Sequence, residues 1–163
     1  MSPAFQPIPD GHAGIDQILA TLAALKAHYG RVYAIRAAAI AIAGGRVNND
    51  QGAHVARLAA FVRDAMIYVA DPVNAEVITT PDVLLLEINR TGRARGDCDD
   101  FVLLFASLSE SIGVPCDIAG VSMAGDRIDH VIGVAHPHGQ PVDFDLCAPA
   151  NEQPMYARKV FAP

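Results

Sequence analysis

A cysteine, a histidine and two aspartates in the second half of the chain have the types and order of a thiol catalytic centre. Cys98 lies in the first turn of the most strongly predicted helix, where backbone N–H groups and the helix dipole favour a thiolate. His130 begins a predicted strand, and an imidazole close to a thiol can take its proton. Asp143 and Asp145 lie on the next predicted strand, from which a carboxylate can orient the imidazole. The pattern predicts acyl transfer by a Cys–His–Asp triad.

The register of the predicted hairpin decides between the two aspartates. A turn of two or four residues within 136–139 would place His130 opposite Asp145, with Asp143 diagonally within reach. A three-residue turn would direct both carboxylates to the other face of the sheet. We therefore favour Asp145 as the orienting group and expect a turn with an even number of residues.

Cys98 also has a plain structural interpretation, because a free cysteine is often a small buried apolar residue. Its neighbours argue for the catalytic one, since residues 93–100 are mostly polar or charged. We expect the helix N-terminus and His130 to lower the pKa of the Cys98 thiol below that of a free cysteine. The three aspartates next to Cys98 oppose this shift, so its size should be small.

A zinc site is the competing interpretation of the same region. His130, His136 and His138 lie close in sequence to Asp143 and Asp145, and imidazoles together with carboxylates can bind zinc. However, two of these histidines flank a proline at the predicted hairpin tip, where they would point to solvent. We expect no metal and no other cofactor.

Composition narrows the class of protein further. The 163 residues fit one domain, and a hydrophobic fraction of 52% is enough to build a buried core. The net charge is −6 without a basic stripe, so we expect no nucleic-acid partner. No apolar run suggests a membrane span, and the N-terminus lacks a signal-peptide pattern. Three irregularly spaced cysteines fit a reducing compartment: Cys98, Cys116 and Cys147.

Helices precede strands along the chain. Apolar periodicity predicts helices over 16–28, 32–43, 51–68, 81–88 and 97–112, and strands over 116–123, 130–135 and 140–146. Residues 89–96 read as a loop. This order predicts an α+β fold, in which a core helix that starts at the nucleophile packs on an antiparallel sheet. We divide the chain into an irregular arm (1–13), one domain (14–147, helical to 68 and core from 69) and an irregular tail (148–163).

The segment Gly96–Asp100, the apolar helix after it and the turn 113–115 (Gly-Val-Pro) resemble the transglutaminase-like superfamily. In that family a G-x-C-x-[DE] segment opens the core helix, a strand starting "H-V" carries the base, and a strand with "V/L-D" carries the acid. The matching residues here are His130-Val131 and either Val142-Asp143 or Phe144-Asp145. Residues 68–72 and 80–82 resemble a subgroup common in tailed bacteriophages and prophages, and the resemblance covers roughly residues 50–147.

The chain departs from the family pattern in two ways. It contains no Trp, whereas the family usually has one before the acid strand. The family acid is commonly followed by Pro-Thr, whereas Leu146-Cys147 follow Asp145 here.

The resemblance implies a thiol acyl-transfer protein of peptidase, deamidase or transglutaminase type, encoded by a phage and acting on a protein or peptide. It implies a location in the bacterial cytoplasm or within a virion, and no membrane partner. The alternative is a catalytically silent structural component of a phage tail or head that uses the same fold and binds other phage structural proteins.

Overall fold

The computed structural model describes residues 5–6, 12–46, 48–72, 75–152 and 154–163. Its helices are α1 (His12–Tyr29), α2 (Tyr33–Ile42), α3 (Gln51–Ala65), α4 (Pro81–Thr91) and α5 (Cys98–Ser111). Its strands are β1 (Phe5–Gln6), β2 (Met66–Tyr68), β3 (Glu76–Val77), β4 (Ala94–Gly96), β5 (Cys116–Ser122), β6 (His130–Ala135), β7 (Val142–Phe144) and β8 (Arg158–Phe161). Most of the expected arm, 1–13, lies outside the described residues.

The main sheet is antiparallel and four-stranded, with the order β7-β6-β5-β8. Helices come before it in the chain, so the predicted α+β class is confirmed. The helices α1, α2 and α3 contact α5 from one side, and β5 and β6 contact it from the other. The core helix therefore lies between the helical layer and the sheet, as its apolar sequence predicts.

Burial along α5 is almost complete, with twelve of its fourteen residues buried. Phe105, Leu104 and Leu108 have no exposed surface. Gly133 of β6 allows the helix to approach the sheet closely, because a Cβ at that position would lie 2.8 Å from the Phe105 ring. This tight contact fixes the start of α5 relative to β6, and those are the elements that carry Cys98 and His130.

Two sequence predictions fail just before the core helix. The helix predicted over 51–68 ends at Ala65, and Met66–Tyr68 form β2, which pairs in parallel with β4. The predicted loop 89–96 contains the end of α4, which Gly92 terminates with a left-handed conformation, and β4. The periodicity of α3 runs into an apolar stretch whose extended form depends on a partner strand far away in sequence.

The expectation of an irregular tail is also wrong. Arg158–Phe161 form β8, which pairs with β5 as an edge strand of the main sheet. Tyr156, just before it, packs against a small apolar cluster on the sheet face away from α5, made of Ala119, Val121, Ile132 and Val134. The folded unit therefore extends past residue 147. Among the residues described, no helix is both long and apolar enough to cross a membrane.

Candidate active site

Cys98 is the first residue of α5, and a capping box fixes the backbone around it. The Asp97 carboxylate accepts the N–H groups of Asp99 at 3.0 Å and Asp100 at 3.5 Å, and the Asp100 carboxylate accepts the Asp97 N–H at 3.3 Å. A Cβ at residue 96 would lie 2.3 Å from an Asp100 oxygen, so only Gly96 leaves room for this arrangement. The residue types of the Gly96–Asp100 segment are thus explained by their structural role, since they hold Cys98 at the helix N-terminus.

His130 begins β6 and forms a hydrogen bond with Asp145. Its Nε2 lies 3.0 Å from Asp145 Oδ1, and only 6% of the Asp145 side chain is exposed. With Nε2 donating to the carboxylate, Nδ1 is the ring nitrogen left to accept a proton. Asp143 does not take part, because its carboxylate pairs with Lys159. Of the two aspartates considered, the structure places Asp145 beside the imidazole.

The register that brings Asp145 there differs from the one expected. Gly133 pairs with Phe144 and Ala135 with Val142, so the turn covers residues 136–141. The turn has six residues where two or four were expected, because it contains a 3₁₀ turn with His138 in the left-handed region (φ 53°). The even number keeps the carboxylates on the His130 face, and Asp145 reaches the imidazole from just beyond the end of β7.

Asp145 accepts several further hydrogen bonds. Oδ1 accepts the N–H groups of Cys147 at 3.0 Å and Ala148 at 3.2 Å, and Oδ2 accepts the Tyr156 hydroxyl at 2.5 Å. Burial by itself would raise the pKa of Asp145, but the hydrogen bonds from His130 and Tyr156 lower that pKa to about 2. Asp145 is therefore an anion at neutral pH.

Arg63 of α3 secures the backbone of the same loop. Its guanidinium donates to the Asp145 carbonyl at 3.0 Å and to the Ala148 carbonyl at 3.1 Å. Sequence reasoning missed both Arg63 and Tyr156. Arg63 is one polar position on an amphipathic helix, and Tyr156 lies in a stretch without periodicity. Neither residue carries a local signal.

Cys147, whose role could not be read from sequence, is part of this cluster. His130, Asp145 and Cys147 each offer an atom that a metal could bind, and these atoms lie within 4.8 Å of one another. The histidines of the hairpin tip are elsewhere: His136 bonds Asp117 at 2.8 Å. Among the described residues, no group of three potential ligands includes His136 or His138.

The expectation of a lowered pKa at Cys98 is wrong. Burial raises the pKa of the thiol, and the carboxyl groups of Asp99 and Asp97 raise it further. The Val131 backbone N–H is within reach of the sulfur and acts in the opposite direction, but more weakly. The sulfur lies 3.7 Å from Asp99 Oδ1, which can accept the S–H. At neutral pH Cys98 is a neutral thiol, because burial outweighs the helix N-terminus.

The aspartates around Cys98 carry raised pKa values themselves. Burial, with the nearby carboxyl groups of Asp71 and Glu76, raises the pKa of Asp97 to about 6. Burial raises the pKa of Asp100 to about 7, and burial and a hydrogen bond shared with Glu76 hold the pKa of Asp99 well above its ordinary value. Cys98 therefore lies next to carboxyl groups that take up protons near neutral pH.

Cys98 and His130 line one cavity of about 330 Å³. Ile15, Ile18 and Leu19 of α1 form an apolar part of its wall, and Asp97 and Glu76 lie on a polar part. The cavity has a size that suits a side chain or a short peptide segment. The structure thus places Cys98 and His130 on one cavity and Asp145 beside His130, and it leaves Asp143 at the surface.

Comparisons with known proteins agree with this arrangement at the level of the fold. No family model and no curated protein matches the chain. A solved structure from Parabacteroides distasonis named "putative protease" aligns over 85% of this chain with a TM-score of 0.61 and 13% identity. The fold of this chain is similar to that of the Parabacteroides protein. The chain spans only 30% of that protein's length. A "putative cysteine protease" from Cytophaga hutchinsonii aligns over 85% of this chain and 43% of its own, with 17% identity and a TM-score of 0.49.

Proposed function

We propose that the protein is a thiol acyl-transfer enzyme of the transglutaminase-like type, with Cys98 as nucleophile, His130 as base and Asp145 as orienting carboxylate. The observation that supports it best is the His130–Asp145 hydrogen bond at the edge of the cavity that contains Cys98. An anionic carboxylate on Nε2 fixes the tautomer in which Nδ1 can accept the thiol proton.

The reaction follows from these positions. His130 takes the proton of Cys98 as the sulfur attacks a carboxamide or peptide carbonyl, and a C–S bond forms. The N–H group of Cys98, which the capping box does not use, can hold the oxyanion. The C–N bond then breaks, the amine leaves with the proton from His130, and a thioester remains. Water or a second amine attacks the thioester, which gives hydrolysis or transamidation and restores the thiol.

The raised pKa of Cys98 limits the resting reactivity of the enzyme. Because the thiol is neutral, proton transfer to His130 must accompany the attack on the carbonyl. A bound substrate that displaces water and brings its carbonyl to the helix N-terminus favours this transfer, since the negative charge moves onto an oxygen near N–H donors.

The test uses two assays that need no specific substrate. Fluorescein-labelled casein reports hydrolysis, and casein with dansylcadaverine reports transamidation. We expect one product with the wild type and its loss in Cys98→Ala and His130→Ala, with activity kept in Cys116→Ala, which removes a buried thiol of β5. Activity that survives Cys98→Ala would contradict the proposal.

A second candidate is a catalytically silent structural protein with the same fold. The raised pKa of Cys98 and its contact with Asp99 favour it, since a structural thiol needs no activation. We further propose a phage gene as the source, with the protein in the bacterial cytoplasm or the virion and other phage structural proteins as partners. That context rests on the motifs at 68–72 and 80–82. The silent candidate predicts no product in either assay and iodoacetamide labelling of Cys98 that His130→Ala leaves unchanged.

A further inference from the structure

The hydroxyl of Tyr156 is the second side chain on the candidate acid. It donates to Asp145 Oδ2, while His130 occupies Oδ1 of the same carboxylate. Tyr156 reaches this position because the chain returns after residue 147 and adds β8 to the sheet. The last part of the chain therefore contacts the site.

Sheet geometry explains why these three side chains meet. Val131 and Ala135 of β6 belong to the main core next to α5, whereas Ile132 and Val134 belong to the small cluster on the opposite face. Side chains alternate along a strand, so His130 has the orientation of Ile132, and as the first residue of β6 it also borders the cavity that contains Cys98. The ring of Tyr156 packs on that face, with its hydroxyl at Asp145.

We propose that Tyr156 is a positioning residue for the Cys98–His130–Asp145 centre, through its hydrogen bond to Asp145. This inference rests on the proposed function. The hydroxyl holds Oδ2, so Oδ1 stays aligned with His130 Nε2, and it stabilises the carboxylate charge in a buried place. A carboxylate without this donor would turn or take up a proton more easily, and the imidazole would lose its fixed tautomer.

The chain supplies a matched control for this contact. Tyr29 forms a hydrogen bond with the carboxylate of Asp82, which contributes to the lowered pKa of Asp82. Neither residue lines the cavity. Tyr29→Phe therefore removes the same kind of hydroxyl–carboxylate bond without touching the site. Tyr156→Phe keeps the ring and its packing, so the two variants isolate the hydroxyl at each place.

The first readout is the ¹³C carboxyl titration of Asp145. A hydrogen bond to a charged group corresponds to about one to two pKa units, so Tyr156→Phe should raise the Asp145 midpoint by that amount. Asp145 should remain ionised down to about pH 3 in the wild type and in Tyr29→Phe. Equal midpoints in Tyr156→Phe and the wild type would overturn the proposal.

The second readout is the rate of iodoacetamide labelling of Cys98, followed by peptide mass mapping at pH 7. We expect Cys98 to be labelled about tenfold more slowly in Tyr156→Phe than in Tyr29→Phe, because one misplaced hydrogen bond costs about that factor in rate. The comparison requires that the two variants have equal urea midpoints. If His130→Ala slows the labelling of Cys98 and Tyr156→Phe does not, the inference about Tyr156 is overturned and the proposed function is not. If His130→Ala and Asp145→Ala also leave labelling unchanged, the proposed function is wrong, and the Asp145 titration still decides the role of Tyr156.

A measurement on the wild type keeps the inference testable should Tyr156→Phe fail to fold. Burial and the Asp145 carboxylate raise the pKa of the Tyr156 phenol well above its ordinary value. Its ¹³Cζ signal should therefore remain that of a neutral phenol at pH 11, whereas a free phenol ionises near about pH 10. Ionisation near pH 10 would show that the hydrogen bond does not form.

Discussion

At the scale of single residues, two opposite environments lie close together. Asp145 receives donors from side chains and backbone, and its pKa falls to about 2. Cys98 is surrounded by carboxyl groups and buried, and its pKa rises. At neutral pH the charge is therefore on the Asp145 carboxylate, and the Cys98 thiol is neutral.

The charge of the Asp97 carboxylate affects the pKa of the Cys98 thiol directly. Asp97→Asn keeps a good N-cap residue but removes a charge that raises the pKa of Cys98. We expect iodoacetamide to label Cys98 several-fold faster at pH 8 in this variant. The exposed residue Asp16 provides the control, and Asp16→Asn should match the wild type. A slower reaction in Asp97→Asn would mean that the cap, and not the charge, controls the thiol.

Substitutions of the two hairpin aspartates, Asp143 and Asp145, should have clearly different effects on activity. Asp145→Ala removes the partner of His130 Nε2, and in a triad such a loss lowers turnover by about 10³–10⁴. Asp143→Ala removes a surface ion pair with Lys159, which is worth at most about 1 kcal/mol and does not touch the imidazole. The casein assays should therefore show near-complete loss only for Asp145→Ala. The reverse ranking would contradict the hydrogen-bond geometry seen here.

At the scale of elements, the contact between α5 and β6 controls the site. Gly133→Ala would place a Cβ 2.8 Å from the Phe105 ring, and overpacking of this kind costs about 1–3 kcal/mol. We expect a lower urea midpoint and lower activity. As a control, Gly52 lies in α3, where an added Cβ would be 3.9 Å from the Asp50 carboxylate, an ordinary contact distance. Gly52→Ala should therefore be neutral or slightly stabilising. An unchanged midpoint in Gly133→Ala would mean that α5 can move away freely.

Elements with strong local signals were predictable from sequence. The core helix has a capping box at Asp97 and an apolar run over 101–106, and β5 and β6 follow it with short connections. These elements carry Cys98 and His130, and both residues line one cavity. An even turn length predicts that both aspartates lie on the His130 face, but the choice of Asp145 depended on a register that differs from the observed pairing of Gly133 with Phe144.

What the sequence could not show depends on partners distant along the chain. The strands β2 and β4 are three residues each and are defined by their mutual pairing. The strand β8 is defined by its pairing with β5, about forty positions earlier. The pKa of Cys98 depends on how deeply the chain buries it, which periodicity does not reveal. Tyr156 and Arg63 entered the site through such long-range contacts.

At the scale of the whole molecule, stability depends on pH in opposite directions through two sets of carboxyl groups. One set is Asp97 and Asp100 near Cys98, and the other is Asp145. The pKa values of Asp97 (about 6) and Asp100 (about 7) lie above the ordinary value of 3.8. Their contribution to folding is fully present below pH 3.8 and is lost as pH rises from 3.8 to the folded-state values of about 6 and about 7. The lowered pKa of Asp145 works the other way, because its contribution is present above pH 3.8 and is lost as pH falls towards about 2.

These signs predict that the free energy of unfolding falls as pH rises from about 4 to about 7, and that it also falls as pH drops below about 4. For Asp97 alone, a shift from 3.8 to about 6 corresponds to about 3 kcal/mol. Asp97→Asn removes this titration and keeps the cap, so its urea midpoint should exceed that of the wild type at pH 8 and should change less between pH 4 and pH 7. Asp16→Asn, at an exposed position, should keep the slope of the wild type. If Asp97→Asn showed the full wild-type slope, the pH dependence would have to come from Asp99 and Asp100, and the charge at the start of α5 would not limit the stability of the fold.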